Sequence, residues 1–307
     1  MHRYNNKYGY GQILRDYCGV PPSSIIWGEV QHSLFMNTNY IRANGTVGPR
    51  REQFARFPRL LSWQTVLPFP HQVPIGMPIG YLLQMNKGSF TLPEELKWIG
   101  AQKYSLILPR MDKDLSLEER VARYGTLVQE AIASSTDTLH ILAPHPAERV
   151  NREIVKERFS ANTLVLWRGG NEAVNNLSHS LALFQHAGSL WSDYFGTHVF
   201  QATAFFGITC RVIGSNAFRA NYHENINQLL FAFAEAKDNP DQMSEVASKL
   251  LGLSYLRTPQ ELKNILGFQG LRRVSAGPVK ALYRKYRQVK VHIRQGLGMQ
   301  TVQMPRN

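Results

Sequence analysis

The chain has 307 residues, of which 43% are hydrophobic and 19% are charged, and its formal net charge at pH 7 is +13. This length and composition support one large or two modest domains with real cores, and they exclude a disordered chain. Two cysteines far apart in sequence, Cys18 and Cys210, argue against a disulfide framework and a structural zinc site. Because no apolar run of about 18 residues and no apolar amino-terminal segment occurs, we expect a cytoplasmic protein, soluble or peripheral on the inner face of the cell membrane.

Residues 1–96 are predicted to form a small α/β domain. A short helix is expected over 8–18, and strands are expected over 25–30 and 60–63, where β-favouring apolar residues cluster. The stretch 73–81 is rich in proline and glycine, which is typical of a connection.

Residues 97–220 alternate short apolar runs with helical stretches, which predicts βαβ units and a parallel sheet of Rossmann-like type. The expected strands are 104–108, 138–143, 163–167, 190–193 and 209–213. The expected helices are 116–134, 147–159, 177–187 and 197–206. The first helix begins at a capping box, Ser116 to Glu119, and the last one ends at Gly207, which is placed as a C-terminal cap. We therefore expect an α/β fold with two halves, of which the amino-terminal one is small.

Residues 221–307 are predicted to be helical, with helices near 222–237, 241–252 and 258–266 followed by a basic amphipathic helix over 277–294. From Leu271 to Asn307 the chain has nine Arg and Lys and no Asp or Glu. Such a helix either lies on an anionic membrane surface or packs on the protein with its basic face in solvent. Nucleic acid is disfavoured as a partner, because no recognisable nucleic-acid module accompanies the charge.

Two strand-to-helix junctions carry the clearest signs of chemistry, because ligands of open α/β sheets bind at the carboxyl ends of strands. At the first junction, His145 and Pro146 follow a strand, and the proline biases the histidine away from helical geometry. At the second junction, a glycine and hydroxyl groups open a helix, which is a typical anion site. Its residues are Ser192, Asp193, Tyr194, Gly196 and Thr197.

The two junctions resemble the donor half of GT-B glycosyltransferases that build bacterial surface polysaccharides, especially the sialyltransferase-like and Kdo-transferase-like enzymes. The run Ala143-Pro144-His145-Pro146 matches the His-Pro motif that contacts the nucleotide phosphate in those families, and residues 192–197 resemble the later turn that grips phosphate or ribose. The segment 27–33 resembles one near the amino terminus of polysaccharide-biosynthesis proteins, with Ser33 where glycine is usual. Residues 61–63 and 75–81 are similar to the strand and the turn that follow it there.

The resemblance implies a GT-B-like glycosyltransferase that moves a sugar from a CMP- or UDP-linked donor to a surface polysaccharide or a lipid-linked glycan. Residues 1–96 would then lie on the acceptor side, and 97–220 would bind the nucleotide sugar. The resemblance also implies a reaction without a metal or another cofactor. Asp112 and Asp114 do not change this expectation, because acids are common just ahead of a helix start.

Four further residues are candidates for the site. Glu29 or His32, near the end of an amino-terminal strand, are candidates for the general base that takes the acceptor proton. Arg168 is a candidate partner of phosphate, and Glu172 is a candidate partner of the ribose hydroxyls. Each has a structural alternative, which is a buried polar pair for Glu29 and His32 and a solvated loop for Arg168 and Glu172.

Two other functions stay open at this point. One is transfer of a polyol phosphate from a CDP-linked donor, because the same pair of motifs is similar to polyglycerol-phosphate transferases. Those enzymes usually carry serines where this chain has Phe195 and Gly196. The other is a non-catalytic GT-B-like protein whose basic surface binds a polyanion.

Overall fold

The structure is a computed structural model. It describes residues 5, 8–31, 60–65, 72–92, 94–101, 103–110, 115–137, 139–144, 163–166, 174–214 and 224–268. Several predictions fall outside these residues, namely the helices 147–159 and 277–294 and the side chains of His32, Asp112, Asp114, His145, Pro146, Arg168 and Glu172.

The amino-terminal part of the fold is a small parallel sheet covered by two helices. Its elements are α1 (Tyr10–Cys18), β1 (Glu29–Val30), β2 (Leu60–Ser62), β3 (Gln72–Pro74) and α2 (Pro78–Met85). The strands pair in the order β1-β2-β3, and the face that carries Val30, Leu61 and Val73 packs into the main core. Parallel pairing in this part agrees with the predicted α/β class.

The stretch 73–81 is not the plain connection that its prolines and glycines predicted, because it holds most of β3 and the start of α2. Pro78 occupies the first turn of α2, where a missing N–H costs the helix nothing. Gly76 makes the turn between strand and helix with a left-handed φ of 70°. Gly76 and Pro78 therefore mark the boundary between β3 and α2 and interrupt neither element.

The second sheet has five parallel strands in the order β6-β5-β4-β7-β8. They are β4 (Tyr104–Ile107), β5 (Leu139–Leu142), β6 (Thr163–Val165), β7 (Ser189–Ser192) and β8 (Thr209–Val212). Along the chain, β5 and then β6 are added on one side of β4, and β7 and then β8 are added on its other side. The boundary between β4 and β7 is thus the topological switch point of a doubly wound sheet. The predicted class, α/β with parallel sheets and Rossmann-like halves, is confirmed.

Three helices connect these strands and cover both faces of the sheet. They are α3 (Leu117–Ser134), α4 (Val174–His186) and α5 (Thr197–Phe206). The predicted capping box of α3 is present, with Ser116 and Glu119 bonded to each other's backbone N–H. Helix α5 ends at Gly207 in left-handed geometry, as predicted. Helix α3 packs on one face of the sheet and α5 on the other, so the two sides of the switch point diverge.

The carboxyl-terminal helices return to the amino-terminal part of the fold. They are α6 (Glu224–Glu235), α7 (Pro240–Leu251) and α8 (Pro259–Leu266). Helix α7 packs on α5, and α8 packs on α1. The backbone N–H of Met77 donates to Leu251 O at 3.1 Å, and that of Trp27 donates to Leu266 O at 3.2 Å. One apolar core therefore runs through all three segments of the chain.

Both cysteine thiols are buried in this core. Burial raises the pKa of Cys18 to about 11 and that of Cys210 to about 12. Among the described residues, no three His, Cys, Asp or Glu side chains are placed to hold a metal ion. Within those same ranges, no helix has the length and apolar character needed to cross a bilayer.

Gly252, which follows α7, tests the join between the carboxyl-terminal helices and the amino-terminal sheet. Its φ is +65°, and a Cβ there would lie 1.8 Å from Trp63 O. We expect Gly252→Ala to lower the free energy of unfolding by about 2–4 kcal/mol in urea titrations, since it adds backbone strain to a steric clash. The matched control is Gly125→Ala in α3, where nothing lies within 4 Å and a gain of about 0.5–1 kcal/mol is expected. Equal stability of the two variants would contradict this account of the join.

Candidate functional site

The candidate site lies at the carboxyl ends of β4 and β7. The carboxylate of Asp193, the first residue after β7, joins the two ends, because its Oδ1 accepts the backbone N–H of Arg110 at 2.7 Å. Its Oδ2 lies 2.9 Å from Nε of Arg123, which reaches across from α3. The Arg123 guanidinium also donates to the carbonyl of Arg110. A single carboxylate thus fixes β4, β7 and α3 relative to one another.

Ser192 strengthens the same join from inside the sheet. It is fully buried, and its Oγ donates to Leu108 O at 2.8 Å. The sequence predicted Ser192 and Asp193 as donor-binding residues. The structure places both at the predicted sheet edge, and their side chains bond to the protein itself.

Gly196 is required here for space. Its φ of −93° is open to any residue, but a Cβ would lie 2.3 Å from His198 Cε1 and 2.7 Å from Tyr194 Cε2. Gly196 is also the N-cap of α5 and supplies no side-chain cap. The first N–H groups of α5, beginning at half-buried Thr197, are therefore not satisfied by a capping side chain.

The apolar side of the turn is anchored by Phe195. This side chain is 3% exposed and stacks on Phe200 of α5, with ring centroids 6.2 Å apart. It also meets Phe233 of α6 edge-on at 6.1 Å. The position where related motifs carry a serine is thus part of the core in this chain, which fixes the entry into α5.

The charges around the switch point favour an anion. Arg123 brings a guanidinium to this edge that pairs with the carboxylate of Asp193, and Arg110, whose backbone is bonded to the same carboxylate, adds a second basic residue. The side chains of the Arg123–Asp193 pair are only 22% and 13% exposed, so solvent screens this pair weakly. The N-terminus of α5 adds a partial positive charge. Together these groups can hold a phosphate-sized anion.

Glu29 lies on the other sheet and is 2% exposed. Beside it, Asn5 donates to Gly28 O and accepts from Val30 N, both at 2.9 Å. Gln31, further along the same strand direction, accepts the backbone N–H of Trp63 at 2.9 Å. Glu29 is therefore buried beside two hydrogen-bonded amide side chains, and its part in proton transfer stays a prediction.

Three residues of the site were missed by the sequence analysis. Arg110 and Arg123 lie on different elements, and only the pairing of Asp193 with both of them reveals their proximity. His198 was not among the candidate residues, whereas the structure buries it beneath the turn at 8% exposure. The available signal for His198 was its position in the first turn of α5, two residues after Gly196.

No protein-family model matches the chain, and no curated protein matches it. Among solved structures, the chain is similar to the UDP-GlcNAc 2-epimerase of Neisseria meningitidis bound to UDP-GlcNAc, with 14% identity and a TM-score of 0.39 over 76% of this chain and 64% of that one. It is also similar to the Methanocaldococcus jannaschii UDP-GlcNAc 2-epimerase in complex with UDP-GlcNAc and UDP, with 12% identity and a TM-score of 0.44 over 84% and 80% of the two chains. A third neighbour is the spinosyn rhamnosyltransferase SpnG, with 15% identity and a TM-score of 0.32 over 70% and 54%.

The chain spans less than two thirds of the length of the Neisseria epimerase and of the rhamnosyltransferase. The three neighbours comprise two epimerases whose structures hold UDP-GlcNAc and one glycosyltransferase. Residue geometry at the switch point, rather than these likenesses, carries the functional proposal that follows.

The join made by Asp193 predicts a measurable coupling. In a double-mutant cycle of Arg123→Met and Asp193→Asn, we expect an interaction free energy of about 1–2 kcal/mol in urea unfolding, because the pair is mostly buried. The control is the exposed pair Glu245–Lys249, whose N···O distance of 2.6 Å is shorter. Alanine variants of that pair should couple by at most about 0.5 kcal/mol. Additive effects of the two Arg123–Asp193 substitutions would show that the carboxylate does not hold the edge together.

Proposed function

We propose that this chain binds a nucleotide sugar at the switch point and acts as a glycosyltransferase. The observation that carries the proposal is the uncapped start of α5 beside Arg110 and Arg123, at the edge of the sheet where doubly wound folds bind ligands. Main-chain N–H groups, two guanidinium groups and a glycine with no Cβ suit a phosphate ester.

The carboxyl end of β5 supports this assignment by its position. Strand β5 pairs directly with β4, and its extension continues the pairing through Ala143 N, which donates to Ile107 O at 2.9 Å. His145 follows two residues later in the sequence. Strands β5 and β7 both flank β4, so their carboxyl ends are separated by about 10 Å, two strand spacings. That span suits a nucleotide phosphate bound between the ends of β5 and β7, and we propose that His145 and Pro146 contribute to it beside residues 192–197.

The proposed reaction forms a bond between an acceptor hydroxyl oxygen and the anomeric carbon while the bond from that carbon to the phosphate oxygen breaks. The acceptor proton passes to a general base, for which Glu29 and His32 are the candidates. The nucleotide leaves as an anion, and the cationic edge at Arg110 and Arg123 stabilises its charge. Arg168 and Glu172 remain proposed contacts to phosphate and ribose.

The two other functions share the same site chemistry. A CDP-linked polyol phosphate would place its phosphates on the same N–H groups, and a non-catalytic protein would bind a polyanion there without turnover. In this chain Phe195 fills the core at a position where polyglycerol-phosphate transferases usually carry a serine. This burial removes a hydroxyl from the turn and favours a sugar nucleotide over a polyol-phosphate donor.

A glycan or lipid-linked acceptor implies work at a membrane surface, and we propose peripheral binding to anionic lipid. Trp27 and Ile25 are 48% and 47% exposed, although both are large and apolar. Trp27 lies beside the end of α8, where a Cβ on Gly267 would be 2.6 Å from its ring. The basic segment that begins at Leu271 follows Gly267 by four residues. Apolar side chains next to basic residues suit the interface of an anionic leaflet.

The donor proposal is tested by thermal denaturation with CMP, UDP, GDP and CDP. A nucleotide present at about a hundred times its Kd should stabilise the protein by about 2.7 kcal/mol. Arg110→Ala keeps the backbone bond to Asp193 but removes the guanidinium, so we expect nucleotide affinity to fall by about tenfold. Lys237→Ala, at an exposed position after α6, is the control and should bind as the wild type does.

The outcomes separate the three functions. Transfer of sugar from a CMP- or UDP-linked donor identifies the glycosyltransferase, and transfer only from a CDP-linked polyol identifies the alternative enzyme. Nucleotide binding without turnover of any donor favours the binding protein. The absence of any response to the four nucleotides would overturn the site assignment.

The membrane proposal is tested by co-sedimentation with vesicles of phosphatidylcholine alone or mixed with phosphatidylglycerol. We expect binding only to the anionic vesicles, with loss at high salt. Trp27→Ala should weaken it by about tenfold through the loss of inserted apolar area. Trp98→Ala, at a tryptophan that is 51% exposed elsewhere on the surface, should leave it unchanged. Equal binding to both vesicle types, or none to either, would contradict the proposal.

A further inference from the structure

His198 lies beneath the turn between β7 and α5, where its ring contacts Ser192 and Tyr194. Its Nε2 lies 3.3 Å from Ser192 Oγ, and its Nδ1 lies 3.4 Å from the Tyr194 hydroxyl. The rings of His198 and Tyr194 meet nearly edge to face, with centroids 5.1 Å apart. Gly196 lies between them, close enough that a Cβ would strike both rings. The imidazole is 8% exposed, so the protein encloses it on almost every side.

The direction of each hydrogen bond follows from the innermost one. Leu108 O can only accept, so Ser192 must donate its single hydroxyl proton to that carbonyl. Ser192 Oγ therefore accepts from His198, and Nε2 carries the imidazole proton. A neutral imidazole carries a single proton, so with that proton on Nε2 its Nδ1 accepts the proton of the Tyr194 hydroxyl. The donations run one way, from Tyr194 through His198 and Ser192 to the end of β4.

We infer that His198 is a neutral Nε2–H imidazole that positions the turn for the nucleotide phosphate. It is a positioning residue, because it acts through Tyr194 and Ser192. His198 links the Tyr194 hydroxyl, through Ser192, to the carbonyl of Leu108. Because Tyr194 lies two residues before Gly196, this link sets where the first N–H groups of α5 point. This inference rests on the proposed function for its consequence, but the protonation state of the imidazole can be measured without any ligand.

The tautomer is read by nitrogen NMR of protein with ¹⁵N-labelled histidine, assigned by the signals lost in His198→Gln. We expect His198 to show a protonated Nε2 and an unprotonated Nδ1 near neutral pH. A protonated Nδ1 with a bare Nε2, or a freely exchanging pair of tautomers as in solvent, would overturn the inference. The NMR measurement tests the direction of the hydrogen bonds even if the protein binds no nucleotide.

The positioning role is tested by UDP and CMP affinity in three variants. His198→Phe fills the space but removes both bonds, and we expect it to weaken binding by about tenfold. His198→Gln can still donate to Ser192, so it should recover affinity to within about threefold of the wild type. His179→Phe, at an exposed histidine of α4, is the matched control and should have no effect.

Each outcome separates the two proposals. If the wild type binds UDP or CMP and His198→Phe binds as tightly with unchanged thermal stability, His198 does not position the turn. If His198→Phe and His198→Gln lose the same affinity, the hydrogen bond donated to Ser192 does not control nucleotide binding, and the inference is wrong. If the wild type binds neither nucleotide, the proposed function fails and the positioning role fails with it, while the tautomer still decides the hydrogen-bond chain.

Discussion

The carboxylate of Asp193 is the interaction on which the candidate site depends. At the switch point the chain leaves β4 toward α3 on one face of the sheet, and it leaves β7 toward α5 on the other. Such an edge would splay without a cross-link, since parallel pairing ends where the strands diverge. Asp193 supplies that link by holding the backbone at Arg110 with one oxygen and Arg123 with the other. The carboxylate of Asp193, which is mostly buried, therefore sets how far the backbone of Arg110 and the guanidinium of Arg123 lie from the start of α5.

A second constraint joins the two sheets. The carboxyl-terminal helices do not form a separate layer, because α8 packs on α1 and the turn after α7 fits against β2 and α2. Leu256 occupies the space above Gly76 and Gly80, where a Cβ on either glycine would be 2.8 Å from its side chain. Small residues in the amino-terminal half thus make room for a segment that arrives from the opposite end of the chain, which locks the relative position of the halves.

Local chemistry made much of the fold predictable. The capping box at Ser116, the glycine cap at Gly207 and the alternation of apolar strands with helices are features of a few consecutive residues, and the structure bears them out. The prolines and glycines of the stretch 73–81 predict a connection, but Pro78 begins a helix, because the first turn of a helix needs no proline N–H. The turn at 192–197 could be located from its glycine and hydroxyl groups. Its partners Arg110 and Arg123 could not, because strand order and helix placement decide them.

The docking of α8 on α1 has a consequence for how the protein is made. Tyr17 in α1 donates a hydrogen bond to the carbonyl of Arg257, 240 residues further along the chain. A ribosome adding about 5–20 residues per second needs roughly 10–50 s to synthesise that interval. Throughout this time the apolar side of the first helix has emerged without its final neighbour. Until α8 has been made, the part of α1 that it covers is either exposed or held by provisional contacts within the nascent polypeptide or with a chaperone.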